Sequence, residues 1–297
     1  MILYDKNGQL RFFQPNDPDG DRPEVDRPDI RRILLASVAP DSIRWEHVLT
    51  RVEQTNSSAS ARLHFRNAPS EVFDLVIGAD GAWSRLRPIV SDATPAYTGI
   101  TFYELHYTEA AAHDPELLAL TRRGNMFALG DRLAINSHRT ASGGVHVYAG
   151  MWTGDTAGLS MTREELFERF QSWSPELLRF LTLAEPQTST RILAQLPMDH
   201  RWPHHPGVTL VGDAAHLMSP FSGEGANLAM CDATDLALAI AQASRGEIDL
   251  DEAVSAFENL MCLRAHEAAI GAAAGAREAF SVDAIDLVST EMQLHLG

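Results

Sequence analysis

Two turns built on glycine and aspartate carry the residues best placed to do chemistry. The first is Gly207-Val208-Thr209-Leu210-Val211-Gly212-Asp213-Ala214-Ala215-His216, continuing through Pro220 and Gly223-Glu224-Gly225-Ala226-Asn227. A buried strand here delivers Asp213 to its carboxyl end, where ligands of α/β sheets bind. A carboxylate in that place accepts hydrogen bonds from sugar or ribityl hydroxyls. Gly223 and Gly225 let the backbone approach a ligand closely. The helix that follows turns free N–H groups and partial positive charge toward an electron-rich ring oxygen or a phosphate. The second turn is Asp80-Gly81-Ala82-Trp83-Ser84-Arg85-Leu86-Arg87, after the apolar run Val72–Ile77. Gly81 permits the bend, and Ser84 and Arg87 lie near the start of the next helix.

These turns need elements to hold them. Ile2–Tyr4 and Leu10–Phe13 flank Asn7-Gly8 and predict a hairpin. Pro15 to Asp26 predicts a surface loop. Pro28 opens a helix whose buried face is marked by Ile30, Ile33, Leu34 and Val38. Strands are expected at Ser42–Trp45, Val48–Val52 and Ala61–Phe65, with a turn at Asn56–Ser58, and a buried parallel strand at Val72–Ile77. Ile100–Tyr107, Arg132–Ser137 and Val145–Trp152 predict a mainly antiparallel sheet. Helices near Arg163–Ser172 and Pro175–Leu183 and a strand at Ile192–Leu196 follow. Val208–Val211 predicts a second buried strand, followed by a helix over about Ala226–Ala241. A last helix runs from Leu250 into Ala268–Ala276, with Val254, Phe257, Leu260 and Met261 on one face. Strand alternation puts Val145 and Val147 on one side of the sheet and His146 and Tyr148 on the other.

Composition narrows the partners. The formal charge of −16 opposes nucleic acid and anionic membrane as main partners. No apolar run reaches the roughly 18 residues of a membrane span, and the first residues are too short and polar for a signal peptide. Cys231 and Cys262 cannot build a disulfide framework, which favours a reducing cytoplasm. Lys6 is the only lysine, so no lysine beyond it acts. His200, His204 and His205 cluster, but Pro203 and Pro206 interrupt the helix that metal spacing requires, and no metal is expected. Ser222 lacks the preceding glycine of a nucleophile elbow.

Gly212-Asp213-Ala214-Ala215-His216 with Pro220 and Gly223-x-Gly225-x-Asn227 resembles the second flavin motif of class A FAD-dependent aromatic hydroxylases. Within that family the chain looks most like the tetracycline-inactivating monooxygenase branch. Asp80-Gly81-x-x-Ser84-x-x-Arg87 is similar to the family's Asp-Gly motif at every fixed position. The resemblance implies that Asp213 holds the FAD ribityl chain and that Pro220, Gly223, Gly225, Ala226 and Asn227 face the flavin ring. It also implies that Asp80, Gly81, Ser84 and Arg87 serve the FAD pyrophosphate and NADPH or NADH. Arg27-Pro28-Asp29-Ile30-Arg31 is similar to the arginine-led helix that relatives place beside the flavin. Arg27 is the nearer neighbour and Arg31 the alternative, against a merely solvated charged face. In the tetracycline-type branch a sheet histidine faces the substrate, and His146 occupies a comparable place. Phe221 is either a hydrophobic wall of that site or a core residue. The branch's substrate-side arginine has no counterpart here, where Asn125 or Met126 stands.

Relatives begin with a βαβ unit carrying G-x-G-x-x-G. No G-x-G-x-x-G occurs in these 297 residues, so an N-terminally truncated member is expected. The expected fold is α/β: a partial Rossmann-like FAD-binding domain without its first βαβ unit, from residues 1–94 and 201–297. A mainly antiparallel or mixed β-sheet substrate domain is inserted at 95–200, and a C-terminal helix closes the chain. The implied activity is hydroxylation of an aromatic or polyketide-like small molecule with FAD, NAD(P)H and O₂, with no protein nucleophile. A non-hydroxylating flavin oxidoreductase and a non-enzymatic remnant with weak FAD binding are the alternatives.

Overall fold

The computed structural model describes residues 1–15, 25, 27–54, 60–122, 124–154 and 160–294. The chain begins with β1 (Ile2–Asp5), β2 (Leu10–Phe13), α1 (Arg27–Ser37), β3 (Leu49–Gln54), β4 (Ala61–Phe65), β5 (Glu71–Phe73) and β6 (Val76–Gly78). It continues with α2 (Arg87–Val90), β7 (Ala96–Leu105), α3 (Glu109–Ala112), α4 (Pro115–Thr121), β8 (Asn125–Gly130), β9 (Leu133–Arg139) and β10 (Val145–Trp152). Then come α5 (Arg163–Phe170), α6 (Pro175–Thr182), β11 (Thr188–Gln195), β12 (Val208–Leu210) and α7 (Asp213–His216). A 3-10 turn at Pro220–Ser222, α8 (Gly225–Ser244), α9 (Leu250–Ala279) and α10 (Ala284–Leu294) complete the described chain. It divides into two compact units.

The first unit comprises Met1–Ala39, Gly99–Leu193 and Arg277–Gly297. Its seven-stranded sheet has the order β11-β7-β10-β9-β8-β1-β2. The pairs β7–β10, β10–β9, β9–β8 and β1–β2 are antiparallel, while β1 runs parallel to β8. Alternation decides which face is dry. Tyr103, Leu105, Met126, Ala128, Ile135, Val147 and Ala149 are buried and pack with Leu117, Leu166, Phe170, Leu177 and Phe180 of α4, α5 and α6. Those helices start where the sequence instructs them to. Asp114 and Ser174 cap helices that open with Pro115 and Pro175. Thr162 and Glu165 form a capping box at α5.

The second unit comprises Pro40–Thr98 and Ala194–Ala276. β3, β4 and β5 form an antiparallel sheet, and β6 pairs in parallel with β12. Val208, Leu210, Leu236, Val254, Phe257 and Met261 share its core.

Several expectations change. The N-terminal hairpin forms as read. It groups with the large sheet, because β1 adds to β8 in register (Ile2 opposite Met126) and buries Ile2 and Leu3 there. Arg277–Gly297 also joins that unit, so contacts divide the chain differently from boundaries at 94 and 201. Ser42–Trp45 is not a strand: Asp41 and Glu46 adopt φ of 67° and 65°, which breaks extended backbone on both sides. Val72–Ile77 is two strands, β5 in the antiparallel sheet and β6 in the parallel pair. Helix α1 forms but buries nothing among the described residues, so Ile33, Leu34 and Val38 are exposed. Leu260 is 66% exposed while Val254, Phe257 and Met261 are buried, because the helical turn carries it off their stripe. The turn expected at Asn56–Ser58 and most of the loop before α1 lie outside the described residues. Strand β8 and helices α3, α4, α7 and α10 lie outside the elements expected from the sequence.

Candidate functional site

In the second unit, parallel pairing sets the two glycine turns side by side. Leu210 lies opposite Gly78, and Val211 N–H donates to Gly78 O at 3.0 Å. Asp80-Gly81 and Gly212-Asp213 therefore leave adjacent carboxyl ends of β6 and β12. Arg87 fastens them. Its guanidinium is buried and donates to Ala214 O at 2.8 Å, Ala82 O at 2.9 Å and Asp213 O at 3.1 Å. Burial lowers its pKa, against the pull of the Asp80 and Asp213 charges. Ser84 Oγ, also buried, accepts from Leu86 N–H and Arg87 N–H. Both predicted cofactor residues are thus committed to holding the loops. Asp80 accepts from Arg85 N–H at 2.7 Å, and Asp213 stands exposed at the start of α7.

A buried ion network, absent from the sequence reading, supports the second turn. Asp232 accepts from Gly212 N–H at 3.0 Å, His216 Nε2 at 2.6 Å and Arg264 at 3.0 Å. Burial raises the Asp232 pKa, but these hydrogen bonds outweigh it and leave the carboxyl below its ordinary range. Gly212 has φ 59° and ψ −143°, and a Cβ there would meet Ala229 Cβ at 3.0 Å, so only glycine fits. The signal for Asp232 was its place on the inner face of α8, with nothing local to reveal its partners.

The alanine-rich stretch of α9 has a packing reason. Ser219 Oγ donates to Ala272 O at 2.8 Å, and Gly275 lets Phe221 approach so closely that a Cβ would sit 3.2 Å from Phe221 Cβ. Phe221 thus braces the loop on α9. Pro220 begins the 3-10 turn, exposed, and leads into Gly223 and α8. Ala226 and Asn227 are exposed in the first turn of α8, and the helix has no side-chain cap.

In the first unit, the sheet face opposite the dry core is polar and half-buried. It carries Glu104, Asn136, His138, His146 and Tyr148. Tyr148 lies opposite both Glu104 and Asn136, and His146 opposite His138. His146 Nε2 is 2.8 Å from Glu104 Oε1, and Arg191 donates to Glu104 Oε2 at 2.7 Å. The His146 ring meets those of His138 and Tyr148 at 5.0 and 4.8 Å between centroids. Burial pushes the Glu104 carboxyl up, but the bonds from His146 and Arg191 prevail and hold it below its ordinary range. Burial, then the Glu104 charge, raises the Tyr148 phenol. Arg27, exposed at the start of α1, puts a further positive charge within range of Tyr148. Alternation thus places His146 as expected. Glu104 and Arg191 lie outside the sequence reading, because the residues two and four before Glu104 on its strand are the buried Phe102 and Ile100 and mark no polar face. His146 and Phe221 belong to different units, and each is described in its own.

Other clusters carry no metal geometry. His200 bonds to Ala215 O and Ser91, His204 to Glu258, and His205 pairs with Gln54. Among the described residues no group of three or more His, Cys, Asp or Glu could hold a metal, and no helix is long and apolar enough to cross a membrane.

Residues 25–253 match the family described as FAD binding domain. The chain is 31% identical to monooxygenase penA of Penicillium thymicola, over 90% of this chain and 74% of that one. The chain belongs to the FAD-dependent monooxygenases of the aromatic-hydroxylase type. Klebsiella pneumoniae HpxO, solved with FAD and uric acid, superposes with a TM-score of 0.70 at 22% identity, covering 91% of this chain and 67% of that one. The tetracycline destructase Tet(55) does so at 0.74 and 20% identity, covering 99% and 75%. These two likenesses establish the fold. The chain spans 74%, 61% and 60% of the length of three curated monooxygenases that it matches.

The second unit of this monooxygenase fits FAD. Gly81, Gly223 and Gly225 each face open space, with nothing within 4 Å of a built Cβ. That leaves bare backbone where a cofactor can lie against it. The uncapped N–H groups of α8 suit an electron-rich ring oxygen. Asp213, exposed at the end of a buried strand, suits hydroxyls.

Proposed function

We propose that this chain takes part in NAD(P)H- and O₂-dependent hydroxylation of an aromatic or polyketide-like small molecule, with FAD held by the second unit and the substrate by the polar sheet face of the first. One observation carries the reading: the two turns of the flavin motifs leave neighbouring parallel strands and are locked together by Arg87, with their glycines open. When bound, FAD supplies the redox chemistry that activates oxygen. The protein's own groups bind and orient. Asp213 accepts hydrogen bonds from the ribityl hydroxyls. The backbone of Gly223 to Asn227, with the start of α8, faces the flavin ring and favours negative charge there. Asp80 and Gly81 border the pyrophosphate, and Ser84 and Arg87 act on it only through the loops they fix. His146 is the polar contact for a substrate hydroxyl. Two free cysteines, Cys231 and Cys262, fit a reducing cytoplasm.

The test is to titrate the protein with FAD by flavin fluorescence, then follow NADPH and NADH oxidation and oxygen uptake with a panel of phenols. Saturable FAD binding and a phenol product one oxygen atom heavier are expected. Failure to bind FAD overturns the reading. NAD(P)H oxidation that no phenol stimulates, with no oxygenated product, makes the chain a non-hydroxylating flavin oxidoreductase.

A further inference from the structure

The polar sheet face holds a set of charges that a simple substrate contact does not require. Glu104 sits on β7, His146 on β10 and Arg191 on β11, and the carboxylate bridges the other two. The Glu104 side chain is only 17% exposed. An ionised carboxylate can only accept, so the proton between the pair is on His146 Nε2. This contact fixes the neutral ring as the Nε2–H tautomer, with its acceptor lone pair on Nδ1. Among the described residues nothing hydrogen-bonds to Nδ1. On the same face Asn136 Oδ1 is buried with no hydrogen-bond partner among the described residues. A buried orphan acceptor is unfavourable unless something donates to it. An acceptor nitrogen on an oriented ring and an unpaired amide oxygen on one rigid sheet together suit a ligand that brings hydroxyl protons.

We propose that Glu104, clamped by Arg191, is a positioning residue that presents His146 Nδ1 as the proton acceptor for the hydroxyl of a phenolic or enolic substrate. The inference rests on the reading of this face as the substrate side. The step balances simply. The substrate O–H bond breaks, its electron pair stays on oxygen as phenolate or enolate, and the proton forms a bond to Nδ1. The imidazolium so formed is stabilised by Glu104, which accepts from its Nε2–H as before. Glu104 keeps its own charge because Arg191 faces its second oxygen. The phenolate is more electron-rich at its ring carbons than the phenol, which is the state that accepts an electrophilic oxygen. The charged and titratable groups around His146 are Glu104 on β7, His138 on β9, Tyr148 on β10 and Arg191 on β11, with Arg27 of α1 in range of Tyr148.

Glu104→Gln is the informative change, because Arg191 only donates. It claims the amide oxygen, so the amide NH₂ turns to His146 and donates to Nε2. The ring then carries its proton on Nδ1, and the acceptor is lost. Histidine ¹⁵N NMR at neutral pH, with the His146 signal assigned by its absence in His146→Ala, reads this without flavin or activity. The Nε2–H form is expected in the unaltered protein and the Nδ1–H form in Glu104→Gln. Adding Arg191→Leu to Glu104→Gln frees the amide to rotate and restores the Nε2–H form. An Nδ1–H ring in the unaltered protein, or a tautomer indifferent to Glu104→Gln, overturns the proposal. A second measurement uses 4-nitrophenol, whose phenolate is yellow and whose phenol is not. Bound to the unaltered protein it shifts toward phenolate, and bound to Glu104→Gln it does not. No shift in the unaltered protein, or equal shifts in both, also overturns the proposal. For a hydroxylated phenol, Glu104→Gln lowers kcat by roughly 10²-fold with little change in KM, the size of a lost general base. FAD titration of the same samples is unaffected, which separates failure here from failure of the flavin reading.

Discussion

The two regions that carry chemistry are built on opposite plans. In the second unit the proposed cofactor side is mostly bare backbone with the exposed Asp213 beside it, and the buried Arg87 and Asp232 point inward to hold that backbone in place. Arg87 binds the carbonyls of Ala82, Asp213 and Ala214 and Asp232 holds Gly212 N–H, while Gly81, Gly223 and Gly225 face open space. In the first unit the backbone is consumed by the sheet ladder, and the side chains of Glu104, His146 and Tyr148 make up the polar face proposed for the substrate. A site made of backbone tolerates little change in residue type or spacing, because each turn needs its glycine or its buried anchor. A site made of side chains on a sheet can be rewritten at every second residue without disturbing the fold. The first plan suits the constant cofactor and the second the variable substrate that are proposed for these two regions.

The strongest way to break this contrast is to remove an inward anchor. Arg87→Met should destabilise the protein by on the order of 3 kcal/mol, because it leaves the carbonyls of Ala82, Asp213 and Ala214 without their charged donor. Urea unfolding measures it, and a cost below about 1 kcal/mol would show that Arg87 does not anchor the turns. Asp213→Ala should do the reverse. Its side chain is exposed, so stability should hold, while FAD affinity falls by roughly 1.5–3 kcal/mol as charge-assisted hydrogen bonds are lost. Fluorescence titration reads the change in Kd, and unaltered affinity would move the ribityl site elsewhere. On the sheet, His146→Ala should lower unfolding stability by only about 1 kcal/mol, the loss of its bond to Glu104, while it impairs turnover of the true substrate. A large loss of stability would make His146 a structural residue.

The smallest effect sharpens the picture of the sheet unit's supports. Asp114 caps α4 and pairs with Arg179 at 2.6 Å, which holds its pKa down from 3.8 to about 2. A depressed carboxyl pKa contributes stability fully present above 3.8 and lost as pH falls toward about 2. Acid titration of the folded state should therefore show a slope over that window that Asp114→Asn flattens. Equal slopes in the two proteins would mean the pair contributes nothing measurable.

The sequence by itself determined the turns and the alternation. Gly212-Asp213, Asp80-Gly81 and Gly223-x-Gly225 are legible because the geometry that needs them is local: a bend, a positive φ or a bare backbone is specified within a few residues. His146 opposite the Val145 and Val147 face was legible for the same reason, since strand period is a local property. What only the tertiary structure decided is which charge meets which. Arg87 reads as a fixed position of the Asp-Gly motif that serves the cofactor, yet its guanidinium is buried among carbonyls up to 127 residues away. Glu104 gives no local sign of a role, because its partners His146 and Arg191 lie 42 and 87 residues on and reach it through sheet order. Helix α1 carries the apolar spacing of a buried face and still buries nothing among the described residues. Periodicity fixes the face a helix offers, but burial depends on what the rest of the chain brings against it, and that is a long-range property which no local pattern encodes.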